Sequence, residues 1–139
     1  MTVDWRTTVQ RPGLSSETAR RFLNRALAGS GHTAGSVSVL FCGDRAMRRL
    51  NRKFRGKDRT TDVLSFPSGM VPASFLGDLV ICVPEARRQA ARAGLAAGKV
   101  LEKLLLHGLL HLLGYDHETD DGQMEALEGK IRRRLRVPE

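Results

Sequence analysis

His107-Gly-Leu-Leu-His111-Leu-Leu-Gly114-Tyr-Asp-His117 closes the most apolar stretch of a 139-residue chain. Val100, Leu101, Leu104, Leu105 and Leu106 lead into it, and Leu109, Leu110, Leu112 and Leu113 run through it. Residues 98–113 are therefore apolar on nearly every side, which predicts a central, buried helix. His107 and His111 stand at i and i+4 on that helix and point the same way. Their β-carbons are about 5–6 Å apart, a spacing suited to one shared ion. On an unbroken helix His117 would lie about 9 Å further along the axis and on another face. Gly114 resolves this, because a glycine there can turn left-handed, end the helix and fold the chain back towards the pair. A histidine pair alone is more often a packed or surface pair. This one sits on an apolar helix where imidazoles need partners, with the breaker placed where a third ligand requires it.

Working outward, residues 16–27 read as a helix with Ser15 or Ser16 as N-cap, stopped by Gly29-Ser30-Gly31. Residues 36–41 (SVSVLF) are β-branched and alternating and read as a strand, and 62–66 (DVLSF) and 78–83 (DLVICV) are two further strand candidates. Asp44 is placed to cap a helix with Met47, Leu50 and Phe54 at helical spacing. Pro67 stops one strand, and Pro84 suits the first turn of a helix ending near Gly94. A last helix follows Asp120, with Met124, Leu127, Ile131 and Leu135 inward, and a short strand is expected near Val3. Helices and strands mix without strict alternation. The expected fold is α+β: a small mixed sheet packed with about five helices, residues 1–139 forming one domain.

The 23 Lys and Arg against 15 Asp and Glu leave +8, and the pI is near 10.5. Such a balance points to a polyanionic partner, nucleic acid first and an anionic membrane surface second. The start, MTVDWRTTVQ, has no apolar core of a secretory signal, and the longest apolar run is too short to span a bilayer. Cys42 and Cys82 read as two buried free thiols of a reducing compartment. The expectation is a soluble, cytoplasmic protein.

Three neutral imidazoles would leave an ion its full charge and an open fourth position, which polarises a phosphoryl or carbonyl oxygen. Their spacing, with the intervening glycine, is that of the metzincin peptidases. Gly108 departs from that pattern, standing where a peptidase carries its general-base glutamate, so hydrolysis is favoured and ordinary proteolysis is not. Eight of the sixteen residues 44–59 (DRAMRRLNRKFRGKDR) are Lys or Arg. Arg45, Arg48 and Arg49 read equally well as a solvated face. Arg55-Gly56-Lys57-Asp58-Arg59 instead forms a turn leading into a strand, where phosphate contacts are well placed. Arg52, Arg55, Lys57 and Arg59 are the candidate nucleic-acid contacts. A second run, KIRRRLR at 130–136, would add nonspecific, salt-dependent affinity.

These residues resemble a known family. HGLLHLLGYDH at 107–117 matches the HGxLHLxGYDH signature of the bacterial YbeY-type endoribonucleases, also described as rRNA maturation factors. Leu50-Asn51, then Phe54-Arg55-Gly56-Lys57-Asp58, then TDVLSFP at 61–67 and GDLVI at 77–81 extend the likeness. It spans about residue 36 to the last helix. The resemblance implies an α+β fold and a metal, usually zinc, held by His107, His111 and His117. It implies action on single-stranded RNA, with 16S rRNA 3′-end processing and ribosome quality control in the cytoplasm, and it puts the functional arginine at Arg55. No DNA or membrane partner is expected. The competing expectation is a noncatalytic rRNA-binding assembly factor, in which the metal only pins the helix and Cys42 or Cys82 supplies a fourth ligand. Asp116 is expected to orient a ligand, act as base or cap a turn, and Asp62 and Asp78 to be structural.

Overall fold

The computed structural model describes residues 2–32, 35–69, 74–116 and 118–138. His117, expected as the third ligand, lies outside the described residues. The elements run β1 (Thr2–Thr7), α1 (Ser16–Gly29), β2 (Ser36–Cys42), α2 (Asp44–Arg55), β3 (Val63–Pro67), β4 (Phe75–Cys82), α3 (Val83–Ala93), α4 (Ala97–Leu112) and α5 (Gln123–Leu135). The strands form a mixed sheet in the order β1-β2-β4-β3. β1, β2 and β4 are parallel, and β3 returns antiparallel to β4. The α+β expectation holds.

Strand alternation divides the core. Val37, Val39, Phe41, Leu79 and Ile81 point to one face and join α1, α3, α4 and α5 in the main core. Cys42, Leu64, Val80 and Cys82 point to the other, where Met47 of α2 covers them. α4 is central as its pattern predicts: Leu101, Leu105, Leu106, Leu109 and Leu110 are fully buried. Among the described residues no helix is long and apolar enough to cross a membrane.

Two local expectations are corrected. Asp44 does not cap α2; Gly43 occupies that position, and Asp44 begins the helix. Its carboxylate instead receives a two-pronged pair from Arg88 of α3, at 2.8 and 3.0 Å. The Arg88 guanidinium is the main reason its pKa is held down to about 2. An acid at the first helical position also complements the helix dipole. Phe54 does not enter the core; it is 56% exposed and meets Phe66 edge-on at 5.1 Å. Both cysteines are buried free thiols as expected. Burial, with Cys82 and Asp44 nearby, pushes the Cys42 thiol up to about 12.

Gly108 is where α4 comes closest to the sheet. A β-carbon there would lie 2.7 Å from Leu79 Cδ2 and 3.2 Å from Ser65 Oγ. The Ser65 hydroxyl donates to the Gly108 carbonyl at 3.4 Å. Alanine favours a helix over glycine by about 1 kcal/mol, but overfilling a packed contact costs about 1–3 kcal/mol. Leu79 is fully buried and has little room to yield. Gly108→Ala is therefore expected to lower stability by about 1–2 kcal/mol in denaturant unfolding. A variant more stable than the parent would show that the close approach constrains nothing.

Candidate active site

α4 delivers both histidines to one open cleft while its leucines are in the core. The cleft has a volume of about 690 Å³, within the usual size of ligand sites. Its walls include Arg55 from α2, Asp62, Val63 and Ser65 around β3, and Gln89 from α3. Lys103, His107 and His111 of α4, then Tyr115, Asp116 and Glu118, and Glu128 of α5, line it as well. The imidazoles are not buried, as the apolar helix suggested. His107 is 29% exposed, facing this opening.

His107 Nε2 and His111 Nε2 lie 3.2 Å apart. Two nitrogens each about 2.0–2.1 Å from a tetrahedral ion stand about 3.3–3.4 Å apart. The pair as folded thus fits a shared zinc-like ion with almost no movement. Among the described residues no third His, Cys, Asp or Glu completes a three-ligand cluster. The cysteines cannot serve, because they lie under α2 on the far face of the sheet from α4. That removes the four-ligand structural site built with a thiol.

The helix end is as the spacing required. Gly114 has φ +98°, Tyr115 N–H donates to Leu110 C=O at 3.0 Å, and Gly114 N–H donates to His111 C=O at 3.0 Å. This is a Schellman closure, and it turns the chain sharply just before residue 117. Asp116 Oδ1 accepts the Glu118 N–H at 3.0 Å, so its side chain caps the following turn while lining the cleft. Asp62 is structural in the way expected. It accepts from Val63 N–H at 2.8 Å and from Gln89 Nε2 at 3.0 Å. Asp78 is exposed on β4, on the face away from the histidines, in a groove with Phe54 and Phe66.

Arg55 is the exposed last residue of α2, followed by Gly56 in the left-handed conformation at φ +68°. It borders both the histidine cleft and a smaller notch shared with Lys57 and Arg59. Arg52 lines neither. Arg48 is not part of a free basic face: it grips Asp58 with two hydrogen bonds of 2.8 and 3.1 Å. The buried Asn51 donates from Nδ2 to the Arg59 carbonyl at 2.9 Å. Together they brace the turn 56–59 on α2. Lys103 and Glu128 belong to the cleft but carry no motif. Lys103 had one available signal, since it stands four residues before His107 and shares its helix face.

The fold and the site define the class: an α+β domain whose central helix both fills the core and turns an imidazole pair to an arginine-bordered cleft. A family model described as endoribonuclease YbeY matches residues 6–136. The chain belongs to the endoribonuclease YbeY family. It is 48% identical over 122 residues to endoribonuclease YbeY of Anaeromyxobacter sp. (strain Fw109-5), covering 83% of this chain and 64% of that protein. It is 44% identical over 131 residues to endoribonuclease YbeY of Solibacter usitatus (strain Ellin6076), covering 94% of this chain and 83% of that protein. The solution structure of TM1509 from Thermotoga maritima has the same fold, with a TM-score of 0.66 and 25% identity. That match covers 97% of this chain and 92% of the other.

Proposed function

We propose that this chain, acting as a single domain over residues 1–139, is a metal-dependent endoribonuclease specific for single-stranded RNA. Its setting is the cytoplasm, in 16S rRNA 3′-end maturation and quality control of the small ribosomal subunit. The carrying observation is the 3.2 Å separation of His107 Nε2 and His111 Nε2 in a cleft bordered by Arg55. These two histidines, with His117, would hold one divalent ion, of which zinc suits the imidazole donor set. Such an ion supplies Lewis-acid polarisation of a phosphoryl oxygen and a bound water that ionises near neutral pH.

Charge supports the same reading. Among the described residues the cleft is lined by two cations, Arg55 and Lys103, against four carboxylates, Asp62, Asp116, Glu118 and Glu128. Two minus four leaves −2, which repels a phosphodiester and attracts a divalent cation; the cation brings the balance to zero. Arg55, at the boundary, can fork onto a phosphate and hold it against the histidine wall. Lys57 and Arg59 extend that contact to neighbouring phosphates along the notch. Gly108 itself carries no side chain that could act as a peptidase base, and a β-carbon there would press on Leu79 and Ser65.

The test is cleavage of a single-stranded RNA oligonucleotide by purified protein, beside the same sequence as an RNA duplex and as DNA. Cutting of single-stranded RNA alone, lost with chelator and restored by Zn²⁺, is the expected result. Tight RNA binding without cleavage would replace the enzyme reading with that of an rRNA-binding assembly factor.

A further inference from the structure

α5 packs on the core through Met124 and Ile131, and Glu128 falls four residues after the one and three before the other. It therefore shares the inward face of the last helix. There its carboxylate is only 17% exposed, and Oε2 lies 3.4 Å from His107 Nδ1. An ionised carboxylate can only accept, so this contact selects the imidazole form that carries its hydrogen on Nδ1. The opposite ring nitrogen, Nε2, then offers a lone pair into the cleft, towards His111 Nε2 at 3.2 Å. The other tautomer would put a hydrogen on Nε2 and could not bind an ion there.

We propose that Glu128 is the positioning residue of the site, fixing the tautomer and ring orientation of His107 so that Nε2 stays open to a divalent cation. The inference rests on the metal-binding reading above and adds to it a residue outside the histidine motif, supplied by a different helix 21 positions away. A carboxylate behind a ligating histidine raises the basicity of the ring as well as aiming it. Glu128 touches neither RNA nor the reacting atoms in this role. Its positioning effect is exerted through His107.

Two measurements test it, one of which needs no metal. Long-range ¹⁵N–¹H spectra of metal-stripped protein at alkaline pH read the tautomer directly. His107 in the Nδ1–H form, moving towards Nε2–H in Glu128→Ala, is the expected result. An Nε2–H form in the unaltered protein overturns the inference, whatever becomes of the metal reading. The second is Co²⁺ titration followed by visible absorption. Glu128→Ala is expected to weaken binding about 10- to 100-fold. Glu128→Gln, whose amide oxygen still accepts from Nδ1–H, should recover much of that loss. His111→Ala provides the reference for a lost ligand. Equal Co²⁺ affinity in Glu128→Ala and the unaltered chain, with His111→Ala failing to bind, overturns the positioning role alone. Absence of Co²⁺ binding by the unaltered chain would remove the metal reading and this inference with it.

Discussion

His111→Ala is expected to abolish tight binding of a divalent ion, reducing metal content from one equivalent per chain to near zero by elemental analysis. His111 Nε2 is one side of the 3.2 Å bracket, and among the described residues no other donor replaces it. A structural zinc site contributes about 10–16 kcal/mol of apparent binding free energy in small peptides, and much of that is lost with a ligand. Since α4 is also the centre of the core, the metal-loaded parent should melt above its stripped form, while His111→Ala should melt alike with and without Zn²⁺. Unchanged metal content in the variant would sink the assignment of His111.

The second large effect is expected at Arg55. Arg55→Ala should keep its ion and most of its RNA affinity, because Lys57 and Arg59 remain beside it in the notch. Its binding should fall by about one phosphate contact, seen as a shallower salt dependence. Its cleavage rate should fall much further, by about 100- to 1,000-fold, the usual cost of removing one group aimed at developing transition-state charge. Single-turnover cleavage at saturating protein separates the two, since affinity no longer enters. Arg48 provides the contrast: it is engaged with Asp58 rather than with the cleft. Arg48→Ala should bind RNA modestly less well and cleave at a near-normal rate. Parent-like cleavage by Arg55→Ala would reduce Arg55 to part of the basic surface.

What could be read beforehand was what has a period or a local rule. The leucine density of α4 announced a buried helix, and Gly114 announced its end, because a left-handed residue is needed there and glycine adopts it without strain. The alternation of residues 36–41 marks a strand, and in the fold its Val37, Val39 and Phe41 enter the main core together. Phe54 misled, since helical spacing places it near Leu50 but cannot tell that α2 overhangs the edge of the cluster. The partners of Asp44, Arg48 and His107 were illegible for one common reason. Arg88, Asp58 and Glu128 reach them from 44, 10 and 21 residues away, and such pairings exist only once the topology is set. The capping role given to Asp44 followed the local rule and lost to that long-range pair.

If residues 56–59 contact RNA as proposed, the brace beneath them would govern how quickly and how tightly the polyanion is captured. A disordered basic segment must give up about 1–2 kcal/mol of backbone freedom per residue when it closes on a ligand. Here that loss is met during folding, because Asn51 and Arg48 already hold the turn that presents Lys57 and Arg59. Only side-chain rotamers are left to order at encounter. Ionic strength then acts twice on the same few residues. It screens the arriving phosphates, and it screens the exposed Arg48–Asp58 pair. The Asn51 hydrogen bond, buried and uncharged, is indifferent to it, so raising salt loosens capture without dissolving the shape of the turn.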